Sequence, residues 1–339
     1  MPVLLCFLAF AFTLSPLSAS PNFIVINIDD LGYADTGPYG SKLNRTPHLD
    51  RMAAEGMKLT NHYASPVCTP SRTSLMTGCY SKRALPVQHV LFPGAAVGLN
   101  PKVMTVAEVL KAKNYATACV GKWHLGDQPE FMPTRQGFDY YFGIPYSNDM
   151  GPASDGAKSD LGAPIPERKV VASKGVDPAV FGGDDTGMKG AGQPPIPVIR
   201  NEEVIDRLTA DKQQTITRLC TEEAVEFITK SKDKPFFLYM PHIAVHFPLY
   251  PGKEFQGKSE NGLYGDWVEE VDWSVGRVLD TLRELKLEKN TLVLFTSDNG
   301  GTHRGLNTPL RGTKGTTWEG GVRVPLLAWW PGKIPAGSQ

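Results

Sequence analysis

The sequence predicts an α/β protein: a large, mostly parallel or mixed sheet sandwiched by helices. Three observations predict it. Short apolar, β-branched runs recur along the chain, as strands buried on both faces do. Stretches with helical periodicity lie between them, and this alternation implies a largely parallel sheet covered by helices. Four of the runs also end directly on carboxylates, an amide, a lysine or histidines. In open α/β sheets that end of the strands is where sites form.

The chain has 339 residues, enough for one large or two ordinary domains. Its formal net charge is zero, with 41% hydrophobic and 21% charged residues. That excludes a global basic field for nucleic acid, so an anion must be captured by a local cluster. Met1 to Ser20 is apolar and uncharged, with small residues at Ser18, Ala19 and Ser20. It reads as a secretory signal cut near Ala19, leaving 20–339 as the folded part; a signal anchor is the second reading. An exported location follows: periplasmic, secreted or lysosome-like. Of the five cysteines, Cys6 leaves with the signal and Cys68 is set apart by its context. The odd remainder, Cys79, Cys119 and Cys220, argues against a disulfide framework. Asn44-Arg45-Thr46 is a glycosylation sequon.

Asn22 to Ile28 is the first strand, and Asp29-Asp30 follow it. Adjacent carboxylates there read as a solvated turn or as ligands of a hard cation. Thr46 caps a helix with Pro47 at its first position, Leu49, Met52 and Ala53 on its inner stripe and Gly56 at its end. His48 sits on its polar first turn, with no role assigned. Cys68-Thr69-Pro70-Ser71-Arg72 opens a helix that runs to Thr77 and is capped by Gly78. A thiol at a helix N-terminus beside Arg72 is expected to have a lowered pKa. Two readings stay open for Cys68 from its local context: a buried structural cysteine or a thiolate nucleophile.

Thr105 to Glu108 is a capping box for a helix to about Lys113. Tyr115 to Val120 is a strand leading into Gly121-Lys122-Trp123-His124-Leu125-Gly126. In extended backbone Lys122 and His124 would point the same way. Met150 to Pro197 is rich in Gly, Pro, Ala and Asp and reads as long loops, with a hairpin near Pro197 to Val204. Thr209 to Lys230 is a helix, with Ile216, Leu219, Cys220, Ala224, Phe227 and Ile228 on one side. Phe236 to Met240 is a strand ending at Pro241, His242 and His246. The spacing of the two histidines would suit a helical metal pair, but Pro241 and Pro248 bracket them and argue against one. Trp267 to Leu285 is a helix with Val271, Val275, Val278, Leu282 and Leu285 on one face. Leu292 to Thr296 is a strand ending on Ser297-Asp298-Asn299, and Val324 to Trp329 is the last.

The polar strand ends sort by chemistry. Asp29, Asp30, Asp298 and Asn299 are hard oxygen donors, which favours Ca²⁺ or Mg²⁺ over Zn²⁺. Arg72, Lys122, His124, His246 and Lys314 add positive charge and donors. A hard cation with such a cluster suits a tetrahedral oxyanion ester, sulfate or phosphate.

These residues resemble the sulfatase family of the alkaline-phosphatase-like superfamily. The resemblance rests on Asp29-Asp30, Cys-Thr-Pro-Ser-Arg with Leu75-Met76-Thr77-Gly78, Gly121 to Gly126, His246, Asp298-Asn299-Gly300 and Lys314 to Arg323. It is most similar to the arylsulfatase A and N-acetylgalactosamine-6-sulfatase branch, which Gly143 to Ser147 supports. The resemblance implies that a formylglycine-generating enzyme oxidises Cys68 to formylglycine, whose hydrate attacks sulfur. It implies Ca²⁺ held by Asp29, Asp30, Asp298, Asn299 and an oxygen of modified Cys68. Arg72 and Lys122 would hold the hydrate, and His124 would deprotonate its remaining hydroxyl to release sulfate. Lys314 and His246 would bind sulfate, and either would protonate the leaving oxygen, with His242 supporting at most. The substrate would be an aryl sulfate or a sulfated carbohydrate; no oligomeric state follows. Two departures stand out. Cys79 occupies a position that is commonly Arg, and the chain stops at Gln339, where the resemblance implies a further, smaller C-terminal subdomain, so the chain reads either as a fragment or as lacking that subdomain. Two alternatives remain: a phosphonate or phosphodiester hydrolase using the same cysteine, and a catalytically silent glycan-binding relative.

Overall fold

The computed structural model describes residues 20–165 and 186–339. The leader reading of Met1 to Ala19 lies outside them, as does 166–185 of the Met150 to Pro197 stretch. The described strands are β1 (Asn22–Ile28), β2 (Met57–Tyr63), β3 (Ala116–Lys122), β4 (Tyr140–Ile144), β5 (Pro197–Arg200), β6 (Glu203–Arg207), β7 (Phe236–Pro241), β8 (Thr291–Ser297) and β9 (Arg323–Trp329). The helices are α1 (Pro47–Glu55), α2 (Cys68–Thr77), α3 (Ser81–Ala84), α4 (Val106–Lys111), α5 (Ala210–Gln213), α6 (Ile216–Lys230), α7 (Gly262–Glu284) and α8 (Glu319–Val322).

The strands form one mixed sheet in the order β2-β9-β8-β1-β7-β3-β4-β5-β6. Its centre, β8-β1-β7-β3-β4, is parallel, and both flanks are antiparallel. Alternation along β1 builds two cores. Ile24, Ile26 and Ile28 face a cluster with α1, α6 and α7, while Phe23 and Val25 face one with α2, α3 and α4. Helices therefore cover both faces, as the sequence predicts.

The differences have local causes. The half-exposed β2 and the short β4, with Gly143 inside it, lack a continuous apolar run and are not legible as strands. The predicted helix from Thr209 to Lys230 is two helices, with Gln214 and Thr215 between α5 and α6. α4 stops at Lys111, short of Lys113, with its capping box formed. Thr46 precedes α1 but does not cap it; its Oγ1 accepts from Gly37 N at 2.8 Å. Asp272 of α7 takes that role, accepting from His48 N and Leu49 N at 3.1 and 2.8 Å. The His48 ring lies against Gly276 of α7, where any Cβ would meet it at 2.5 Å, so His48 has a packing role. Asn44 is buried and its Nδ2 donates to Asp35 O at 2.8 Å, so the folded chain does not present the sequon. Cys68, Cys79, Cys119 and Cys220 are all free. The β5–β6 hairpin falls where expected, and short 3-10 turns occupy the described parts of the preceding loops.

Candidate active site

Parallel pairing assembles the site. The register sets Ile28 beside Ser297, so the residues following β1 and β8 emerge together. Asp298 N donates to Ile28 O at 3.0 Å, and Asp30 N to Asp298 Oδ1 at 3.3 Å. β3 lies one strand beyond β7 and delivers Lys122 from the other side. Close approach there demands glycine: at Gly121, φ +135°, a Cβ would sit 1.9 Å from Pro241 O.

α2 starts at Cys68, whose side chain is 1% exposed. Its Sγ lies 3.4 Å from Asp29 Oδ1 and 3.6 Å from Lys122 Nζ. Lys122 Nζ also donates to Asp29 Oδ2 and, at 3.0 Å, to Ser147 Oγ. Burial and the Asp29 carboxylate push the Cys68 thiol well up, and Lys122 and Lys314 only partly offset them. This reverses the expected lowering: the helix terminus and nearby cations do not outweigh desolvation beside a carboxylate. Asp29 behaves oppositely. Burial would raise it, yet Lys122, His246, Arg72 and Lys314 hold its carboxyl well below the usual range.

Arg72 is fully buried. Its Nε and Nη2 donate to Asp298 Oδ2 at 2.9 and 2.8 Å, and Nη1 donates to Lys122 O. These bonds tie Arg72 to Asp298 and to the end of β3; the resemblance implies that it also holds the hydrate. Lys314 Nζ lies 2.6 Å from Asp30 Oδ1, and His246 Nε2 lies 3.7 Å from Asp30 Oδ2. Burial opposes the charge on Lys314, but Asp30, Cys68 and Asp29 raise its pKa further.

His124 does not share an extended backbone with Lys122, because its φ is +61°. It is still held at the site: its carbonyl accepts from Thr69 Oγ1 at 2.9 Å, next to Cys68. Its Nε2 lies 2.9 Å from Leu91 O and must donate, since a carbonyl only accepts. The buried Nδ1 is then a lone pair without a partner. Burial, Lys122 and Arg72 drive its pKa well down, so the ring is neutral. His242 stands apart: its Nε2 is 3.2 Å from Ser274 Oγ of α7, and burial lowers its pKa to about 4.

Asp29, Asp30, Cys68 and His246 each offer a ligand atom, all within 4.8 Å of one another. Asn299 adjoins them: its Nδ2 donates to Asp30 Oδ1 at 2.8 Å, and its buried Oδ1 has no partner. Two carboxylates and an orphaned amide oxygen fit a hard cation. Asp298 stands beside this group with Oδ2 on Arg72 and Oδ1 on Asp30 N.

Sequence reasoning missed two residues. Ser147, 1% exposed, accepts from Lys122 and lies 3.2 and 3.3 Å from the His246 ring nitrogens. Asn148 Oδ1 lies 3.3 Å from His246 Nδ1. Both follow β4, so the strand-end rule that found the other residues would have found these had β4 been legible.

A family model described as Sulfatase matches residues 21–339. The chain is 38% identical to steryl-sulfatase of Mus musculus over 370 residues, covering 95% of this chain and 59% of that protein. It is 36% identical to N-acetylgalactosamine-6-sulfatase of Canis lupus familiaris over 345 residues, covering 94% and 58%. Among solved structures, the PsFucS1 sulfatase from Pseudoalteromonas sp. superposes with a TM-score of 0.77 at 32% identity, covering 94% of this chain and 64% of that one. The chain thus spans about three-fifths of the length of these curated relatives. A matched family model over nearly the whole described fold, with relatives of this similarity, means that the chain belongs to the sulfatase family.

Proposed function

We propose that this chain hydrolyses sulfate esters of an aryl alcohol or a sulfated sugar, at a site centred on residue 68. The observation that carries this reading is the setting of Cys68: a buried thiol against Asp29 and Lys122, with its ionisation disfavoured. A structural cysteine would be packed in apolar surroundings, and a thiolate nucleophile needs a lowered pKa. Cys68 belongs to a buried hydrophobic cluster, but its Sγ faces Asp29 and Lys122, and a polar, oxygen-bearing modified residue would use both contacts. When present, formylglycine would supply a hydroxyl nucleophile and a divalent cation, Ca²⁺ or Mg²⁺, would polarise the sulfuryl oxygens.

The chain's own residues divide the remaining work. Asp29, Asp30 and Asn299 would hold the cation, with Asp298 fixed beside them by Arg72. Lys122 donates toward position 68 and holds Asp29 in its ionised form. His124, whose buried Nδ1 has no partner, would serve as the base for the remaining hydroxyl. Lys314 and His246 stand on the Asp30 side, where they would bind sulfate and supply a proton to the leaving oxygen.

The test is a paired rate assay on the full chain made with a formylglycine-generating enzyme, and with conversion of Cys68 checked by mass. kcat/KM is compared on an aryl sulfate and on an aryl phosphonate or phosphodiester, with Cys68→Ala as control. The reading expects dominant sulfate turnover that Cys68→Ala abolishes. Dominant turnover of the phosphorus ester, or appreciable turnover by Cys68→Ala, would overturn it.

A further inference from the structure

We propose that Arg304 and Asp160, an ion pair at the rim of the site, read the hydroxyl groups of a sugar ring beside its sulfate-bearing oxygen. The inference rests on the sulfate-ester reading above and deepens it. Of the two alcohol classes named there it selects the sulfated sugar, with Arg304 and Asp160 as specificity-determining residues.

Segments that carry site residues converge on the pair. Phe247 follows His246 in the chain, and the Arg304 guanidinium carbon lies 5.1 Å from the centre of the Phe247 ring. Arg304 belongs to the turn after Asn299, where Arg304 N donates to Thr302 Oγ1 at 3.3 Å and Gly305 N to Thr302 O at 3.1 Å. Gly301 O of the same turn accepts from Lys314 N at 3.0 Å. Asp160 comes from the loop-rich stretch that begins at Met150. Its Oδ2 accepts from Arg304 Nη1 at 2.6 Å and its Oδ1 from Leu249 N at 2.8 Å, while Leu161 N donates to Leu249 O at 3.1 Å. The pair is therefore set in place by its own loops before a substrate arrives. His246 and Lys314 are the proposed proton donors, so the leaving alcohol lies on their side of the site. Side-chain exposure rises from 12% at His246 and 18% at Lys314 to 28% at Asp160 and 30% at Arg304, which makes the pair the next layer outward.

The hydrogen-bonding capacity left on the pair identifies the ligand. Among the described bonds of Arg304, Nη1 is the one guanidinium nitrogen engaged, which leaves Nε–H and the Nη2 hydrogens to donate. Each Asp160 oxygen accepts one described bond and has a lone pair to spare. A hydroxyl both donates and accepts, so one or two hydroxyls on a ring satisfy both partners and replace the water they displace. An aryl or other apolar leaving group laid on this wall would take water from both charges and return no bond, which costs binding energy. A wall shaped for such a group would be apolar.

The experiment uses the full chain with converted Cys68. Sulfate release is measured on the monosulfates of galactose, glucose and their 2-acetamido analogues, with phenyl sulfate as reference. Specificity is a ratio of kcat/KM values. Arg304→Met and Asp160→Ala are each expected to lower the ratio of the preferred sugar sulfate to phenyl sulfate by about 30-fold, the range for a hydrogen bond to a charged group. Arg304→Lys, which keeps the charge without the planar fork, should recover only part of the loss. Removing the free sugar hydroxyls one at a time should find a position that costs the parent about 30-fold and Arg304→Met no more than about 3-fold. An unchanged ratio in both variants would overturn the proposal, because a pair that only staples loops acts on all substrates alike. Equilibrium binding to the Cys68→Ala chain gives a readout independent of turnover: adding Arg304→Met should lower the preference for the sugar sulfate by the same factor. A fall in Tm with an unchanged Kd ratio would mark a staple and overturn it. Should Arg304→Met fail to fold, Asp160→Ala carries both readouts. A parent that turns over phenyl sulfate but no sugar sulfate would overturn this inference and leave the sulfate-ester reading standing. A parent inactive on every sulfate would overturn the sulfate-ester reading, and the Kd ratios would still decide the pair.

Discussion

Arg72 and Asp298 form a fully buried pair in which Nε and Nη2 of the guanidinium share one carboxylate oxygen, at 2.9 and 2.8 Å. The other oxygen, Oδ1, is left to accept from Asp30 N. The pair therefore joins α2, which carries Cys68, to the strand end that carries Asn299. Removing one partner strands the other charge in the interior. Arg72→Met is expected to destabilise the fold by about 3–5 kcal/mol in urea unfolding. A loss below about 1 kcal/mol would show that the interior relaxes around a free Asp298.

That coupling decides which substitution tests the cation site cleanly. Asp298→Ala would weaken the site but would also strand Arg72, so its effect would mix two causes. Asn299→Leu removes the buried, unpartnered Oδ1 and the Nδ2 bond to Asp30 without stranding a charge. A ligand bound only by the folded state stabilises it by roughly 2.7 kcal/mol at 100 times its Kd. The expected outcome is a rise in Tm with added Ca²⁺ for the parent and little or none for Asn299→Leu. An equal rise in both would remove Asn299 from the ligand set.

Glu270 gives a pH test away from the site. It is fully buried on α7, with Oε2 accepting from Gly252 N at 2.8 Å and Oε1 unpartnered. Burial pushes its pKa up to about 8 from an ordinary 4.5. Between those values the unfolded chain has lost a proton that the folded chain keeps, so stability falls as pH rises across that window. Glu270→Gln should match the parent at pH 4 and exceed it at pH 8, by on the order of 2 kcal/mol. Urea midpoints at the two pH values check this, and a gain independent of pH would contradict it.

The cap of α1 offers a fourth test. Asp272, reaching from α7, accepts two N–H groups at the start of α1, while Thr46 is turned to Gly37. Asp272→Ala should cost about 1–2 kcal/mol of stability by the usual cost of a lost cap. If Thr46→Ala were instead the more damaging change, the local sequence signal would be the true cap.

Much of this site was legible because parallel strands deliver their polar ends to one place whatever the lengths between them. Asp29, Asp30, Lys122, Asp298 and Asn299 needed only an apolar run and the residues after it. Cys68, Arg72 and Lys314 needed the family resemblance, since nothing in their local spacing says what they face. Ser147 and Asn148 were hidden with β4, whose short run contains a glycine required by the strand beside it: a Cβ on Gly143 would lie 1.8 Å from Gly121 O. The lowered thiol pKa failed for a different reason. A helix terminus and an arginine can be read from sequence, but desolvation and the Asp29 carboxylate arrive only with the tertiary fold.

The burial of Cys68 has a bearing on biosynthesis. Its side chain is 1% exposed, and Thr69, Arg72 and Thr73 around it are fully enclosed. No enzyme can work on that sulfur without first opening the helix that bears it. If the proposed conversion takes place, it belongs to the interval between emergence of the nascent chain and docking of α2. A chain that folds before it meets the modifying activity is then committed to the thiol form, and later mixing with that enzyme should leave its mass unchanged. Active preparations would depend on which event comes first in the producing cell, and a mixed population would record how closely the two rates compete.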